Sequence, residues 1–221
     1  MKTFVTIILL LAGISQSSIA QQINWRTIET ETKNIVHFTY GYEYSATAEL
    51  GYSRLLNTST PVLLSTNISI PMGNNLVDDL KYRIGGQFRF LNYRDFSASA
   101  KIMGSFRKYN NELVQVASFG TEISLTLGYY KPGWHLAGEF GFDKSIISNL
   151  KHKEVMKDNY PAINDGWYIP SGGNFFYGIQ AGVSLKRQID LGIRIGLMNA
   201  EKGCENAQLP GYAQIGISKR F

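Results

Sequence analysis

Apolar and polar side chains alternate with a period of two over most of this chain. The clearest stretch is Asn174 to Leu197, where Phe175, Tyr177, Ile179, Ala181, Val183 and Leu185 precede a tight break at Lys186-Arg187. Beyond the break Ile189, Leu191, Ile193, Ile195 and Leu197 continue the pattern, while Gly178, Gln180, Gly182, Ser184, Asp190, Gly192, Arg194 and Gly196 fill the even places. Such alternation on both sides of a near-absent loop predicts an antiparallel hairpin with one apolar and one polar face. A soluble sandwich and a membrane barrel both use this pattern, so the rest of the chain has to separate them.

The pattern recurs. Glu43 to Arg54 sets Tyr44, Ala46, Ala48, Leu50 and Tyr52 against Glu43, Ser45, Thr47, Glu49 and Ser53. Val62 to Ile70, Leu80 to Phe90, Phe96 to Phe106, Phe119 to Tyr129, Trp134 to Phe142 and Tyr212 to Phe221 behave alike. Each is about the 9 to 11 residues that a tilted strand needs to cross a bilayer. Short turns at Asn92 to Asp95, Lys131-Pro132-Gly133 and Lys186-Arg187 alternate with longer links at Pro71 to Asp79, Arg107 to Leu113, Asp143 to Gly173 and Met198 to Pro210. In outer-membrane barrels the short turns face the periplasm, and a final strand ending there puts every short turn on that side.

Aromatic residues collect at both predicted ends of the apolar face. Tyr52, Phe90, Tyr93, Phe96, Tyr129, Tyr130, Trp134 and Phe221 fall at the periplasmic end; Phe106, Phe119, Phe140, Phe142, Phe175, Tyr177 and Tyr212 fall at the outer end. Two girdles around a band of Ala, Ile, Leu and Val are what the two membrane interfaces select. A soluble sandwich has no reason to sort its aromatics this way.

Composition adds an address. Lys2, an apolar run from Phe4 to Ile14 and the exit Ser18-Ile19-Ala20 predict a secretory signal peptide over residues 1–20, cut before Gln21, with a barrel over residues 21–221. No later apolar stretch approaches the roughly 18 residues of a spanning helix. The single cysteine, Cys204, excludes an intramolecular disulfide. Of the net charge of +5, Lys2 leaves with the leader, and the remaining excess of about +4 fits an anionic lipid or glycolipid surface such as lipopolysaccharide. There is no basic run to suit a nucleic acid.

With the ending Gly-Tyr-Ala-Gln-Ile-Gly-Ile-Ser-Lys-Arg-Phe, which places Ala213, Ile215, Ile217 and Phe221 on one face, the mature chain resembles a small outer-membrane β-barrel protein of Gram-negative bacteria. The resemblance implies an all-β, closed, antiparallel up-and-down transmembrane barrel. It also implies recognition of the last strand, with Tyr212 and Phe221 as its marks, by the barrel-assembly machinery. Lys219 departs from the pattern, being basic on the outward phase but close enough to the interface to snorkel.

Nine strands can be counted from Glu43, and an even number is required. Ten are expected, with the tenth coming from Asn24 to Glu31 or from splitting the run Val36 to Arg54; eight is the fallback. Either size gives a narrow interior filled by side chains. The inward phase carries Glu43, Glu49, Glu122, Glu139 and Asp190 with Arg83, Arg89, Lys101 and Arg194, predicting mutual ion pairs across one lumen. The same set could line a path for small ions.

Chemistry is sparse. His37, His135 and His152 are the only histidines, and neither they nor Cys204 have partners at metal-ligand spacing, so no metal and no cofactor is expected. His135 shares the inward phase with Glu139 and could meet a serine such as Ser124 across the strand pair to form a triad. In the long link Asp143 to Gly173, Ile146, Ile147 and Leu150 are spaced for a short helix, and Tyr160, Trp167 and Tyr168 could bind a surface ligand whose identity the sequence leaves open. The functional expectation is a non-enzymatic barrel with a structural, surface-binding or limited solute-passage role. An outer-membrane enzyme acting on lipid or peptide and a soluble exported lipocalin-like carrier are the alternatives.

Overall fold

The computed structural model describes residues 23–28, 33–56, 58, 60–73, 78–170, 172–185, 188–201 and 210–221. The predicted leader, the Lys186-Arg187 turn and Cys204 lie outside the described residues. Eleven strands occur: β1 (Asn34–Tyr42), β2 (Ala46–Leu56), β3 (Val62–Pro71), β4 (Asp79–Tyr93), β5 (Phe96–Asn110), β6 (Val114–Lys131), β7 (Trp134–His152), β8 (Gly166–Tyr168), β9 (Asn174–Leu185), β10 (Ile189–Ala200) and β11 (Gly211–Arg220). A short helix, α1 (Glu154–Asn159), precedes β8. Every neighbouring pair is antiparallel, β1 closes on β11, and β7 pairs with both β6 and β9. Without the three-residue β8, the strands form a closed ten-stranded up-and-down barrel.

The tenth strand comes from splitting Val36 to Arg54. Glu43–Ser45 makes the reversal, and at the top of β1 Gly41 adopts φ of 148°, with its missing Cβ aimed at the Ala213 carbonyl. An L side chain there would be strained and would strike β11.

The wall is apolar outward. Leu50, Ile68, Ile84, Ile102, Leu125, Leu127, Phe140, Ile179, Ile193 and Ile215 are all exposed, whereas Thr39, Glu49, Ser53, Asn67, Arg83, Ser124, Glu139 and Gln214 are buried. This is the reverse of a soluble barrel and the arrangement that a bilayer rewards. No helix among the described residues is long and apolar enough to cross a membrane, so crossing falls to the strands.

Several sequence expectations need correction. β4 to β7 run to 15, 15, 18 and 19 residues, well beyond a membrane crossing. Their upper parts form a sheet that rises above the loop end, opposite the end that carries both strand termini. The link predicted over Arg107 to Leu113 is mostly strand, leaving a turn over Asn111–Leu113. With Glu43–Ser45, this puts two short turns at the loop end, so the separation of short and long links is incomplete. The helix predicted over Ile146 to Leu150 is strand in β7, and the actual helix begins at Glu154. A register shift opposite Phe119 and Gly120 accommodates Ile146, which disguises the alternation there. Tyr212 does not belong to the outer girdle, for it shares the phase of Gln214 and Ser218, and all three are buried; Tyr130 does not belong to the periplasmic girdle, for it faces inward and is buried with Ile23 and Trp25.

Candidate functional site

The lumen is filled from both ends, and its contents fall into three layers. At the terminal end, the inward phase of five strands turns apolar: Ile35, Leu55, Leu63, Tyr130 and Ala137 form a cup. Residues Ile23–Ile28 sit in it. Ile23 and Trp25 are buried against these side chains, with Ile28 packed alongside. The segment is short enough to fold on itself, since the Asn24 side chain accepts from the Arg26 amide at 3.1 Å and the Asn24 carbonyl accepts from the Thr27 amide at 3.0 Å.

Polar contacts lock this plug to the wall. The Asn24 amide donates to the Lys131 carbonyl at 2.8 Å and to the Ser184 hydroxyl at 2.9 Å. Ser184 donates to Asp190 at 2.5 Å, and Arg220 donates to both Asp190, at 2.7 Å, and Thr27. Arg89 lies over the Trp25 ring at 5.7 Å and donates to the Trp25 carbonyl. Asp190 and Arg89, predicted for one lumenal charge cluster, thus hold the plug instead.

Above it lies the predicted ion network. Arg83 reaches Glu43 at 2.5 Å, Glu49 at 3.4 Å and Glu122 at 3.8 Å, and Lys101 reaches Glu122 at 2.7 Å. A second group centres on Glu139, which accepts from Arg194 at 2.6 Å, Tyr212 at 2.5 Å and Gln180 at 2.5 Å. Arg194 also donates to Gln214 at 2.9 Å and covers the Tyr212 ring at 4.4 Å. Gly178 and Gly196 lie under that ring, where a Cβ would collide with it. These carboxylates and cations satisfy one another, as charges removed from water must.

Between plug and network remains a cavity of about 30 Å³, lined by Trp25, Gln87, Lys101, Thr126, Glu139 and Gln180 among others. That is room for roughly one or two waters. Towards the loop end Lys81 bridges Glu43 at 3.4 Å and Asp143 at 3.3 Å. Arg107 grips Asp79 through two bonds of 2.6 Å and covers the Tyr44 ring at 4.3 Å. Lys81, Arg107 and Arg220 carry charge on the inward phase and could have been read with the others, whereas the lumenal role of Tyr212 and the plug had no signal in charge.

The triad is not assembled. His135 stacks on Tyr130 at 5.6 Å with neither ring nitrogen hydrogen-bonded. Ser124 pairs with Gly141, six residues along β7 from His135 and thus roughly 20 Å away. Among the described residues no group of His, Cys, Asp and Glu could hold a metal ion. Tyr160, Trp167 and Tyr168 are all exposed at the loop end; Trp167 stacks on Phe119 at 6.5 Å, and Tyr168 bonds back to the Asn164 carbonyl.

The chain is a ten-stranded transmembrane β-barrel. No protein-family model matches it, and no curated protein matches it in sequence. Among solved structures it is similar to a KdgM porin, at 8% identity and a TM-score of 0.43, covering 85% of this chain and 99% of that one. The KdgM porin in complex with disordered oligogalacturonate gives the same figures. The outer membrane protease OmpT from Escherichia coli is similar at 10% identity and a TM-score of 0.40, covering 88% of this chain and 100% of that one. At these scores no residue role and no activity passes from any of them to this chain.

Proposed function

We propose that this protein is a non-enzymatic barrel of the bacterial outer membrane whose lumen is closed to solutes and which acts through its wall and its raised loop-end sheet, in a structural or surface-binding role. The predicted leader and the insertion mark at Tyr212 and Phe221 support the address, with the terminal end in the periplasm. The observation that carries the closed state is Trp25, 3% exposed, seated with Ile23 in the apolar cup at the periplasmic mouth. A pore would waste a well-packed tryptophan where solute has to pass. The ion network above it is a second barrier, because its charges are neutralised by one another rather than presented to water.

Limited passage is therefore disfavoured relative to the expectation from sequence. An enzymatic role is disfavoured because Glu139 is occupied by Arg194, Tyr212 and Gln180 and stands apart from His135's ring stack. Swelling of proteoliposomes in small sugars tests the reading. Rates equal to protein-free liposomes are expected, and swelling that rises with the amount of barrel inserted would overturn it.

A further inference from the structure

At the loop end β7 outruns its neighbour β9. β9 accompanies it only as far as the Asp143–Asn174 pair, while β7 continues to His152. β8 takes that edge, setting Trp167 beside Asn149 and Tyr168 beside Ser148. The chain that follows α1 is thereby held in the sheet, beside β7, where β9 no longer reaches. The Trp167 ring lies nearly parallel to Phe119, at 27°, and Phe119 meets Phe106 at 5.0 Å, so the three rings extend the outward aromatic girdle upward.

This extension is apolar yet uncovered. Trp167 is 58% exposed and Ile169 83%. Next to an aromatic girdle, such residues are stable in the interfacial layer of a bilayer and unstable in water. The charges agree. Lys108 and Lys151, both exposed and on the outward phase, stand just beyond the rings, on β5 and β7, with backbones about 12 Å apart by strand geometry. Neither makes an ion pair among the described residues, whereas nearby Arg107, Lys144 and Lys157 are paired with Asp79, Glu201 and Asp165.

We propose that the β8 arm is a lipid-binding site: Trp167 and Ile169 enter the outer leaflet beside Phe119, and Lys108 and Lys151 hold the phosphate groups of its anionic lipids. The site rests on the outer-membrane reading only for which leaflet it meets, and it stands whether or not the lumen conducts.

The test compares Trp134→Phe with Trp134→Phe/Trp167→Phe in nanodiscs, so that the difference in emission belongs to Trp167 while Trp25 stays shielded in the plug. Lipids brominated along the acyl chain should remove most of that difference, and aqueous iodide should remove little. The reverse result, quenching by iodide and not by brominated lipid, puts the arm in water and overturns the proposal. Retention of phosphatidylglycerol by the detergent-purified full chain, read by native mass spectrometry, tests the lysines. Lys108→Gln/Lys151→Gln should weaken it roughly 30-fold, the factor that two lysines near an anionic surface supply; unchanged retention would remove them from the site.

Discussion

Trp25→Ala isolates the plug, because it alters a side chain that belongs to no strand. Truncating a buried tryptophan costs about 3 to 5 kcal/mol. Loss of the Arg89 contact at 5.7 Å adds about 0.5 to 1 kcal/mol. The Asn24, Thr27 and Arg220 bonds are left in place, so the segment should open more often without being abolished. A loss of about 4 kcal/mol corresponds to roughly a thousandfold more opening, since about 1.4 kcal/mol is tenfold in an equilibrium. Amide exchange of residues 23–28, followed by mass spectrometry in nanodiscs, reads that opening directly. Slow exchange in the native protein and about a thousandfold acceleration in Trp25→Ala are expected, with the strand amides unchanged because the ladder closes through β1 and β11 independently of the plug. Free-coil exchange of residues 23–28 in the native protein would refute the reasoning, as would equal rates in the two proteins.

Two further perturbations address the lumen and the loop end. Glu139→Leu should destabilise the barrel by about 3 to 5 kcal/mol in urea unfolding, because Arg194 is left buried without its partner, and Arg194→Met added to it should recover most of the loss. Recovery would be absent if Glu139 acted through shape alone. At the loop end, Asp165 accepts from the His152 amide, its largest influence, and from Lys157; together they hold its carboxyl down to about 2 from an ordinary 3.8. A folded value below the unfolded one gives stability that is complete above about pH 4 and is lost as pH falls through 2. Protection of the segment around α1, taken against intrinsic amide exchange at each pH, should therefore fall between pH 4 and 2, and Asp165→Asn should flatten that dependence.

What could be read from the chain follows from what period-two alternation encodes. Alternation reports which face is apolar, so the wall, the girdles and the inward charges Glu43, Glu49, Arg83, Glu122 and Arg194 were legible. It does not report which inward charges meet, because Asp190 and Arg89 have the right phase but sit at the height of the plug. The plug itself had a signal in the exceptions. Ile35, Leu55, Leu63, Tyr130 and Ala137 are apolar residues on the polar phase, and all five lie at the terminal end of their strands. A polar lumen gives no reason for such a ring unless something apolar fills it, and Ile23 and Trp25 are the nearest sequence able to do so. Tyr212 and Tyr130 were misplaced in the girdles by giving their rings more weight than their phase. The height of β5 to β7 was hidden because Ser118, Ser148 and Lys151 are polar beyond the apolar band of the wall, and a β-bulge at Ile146 breaks the count.

The closed lumen is tested most directly by single-channel recording of the purified barrel in a planar bilayer, beside a variant lacking residues 21–28. The native protein should give no steady conductance above the bare bilayer, and the shortened one little more, because the Arg83 and Glu139 networks still fill the lumen. Large, steady unitary currents through the native protein would contradict the account.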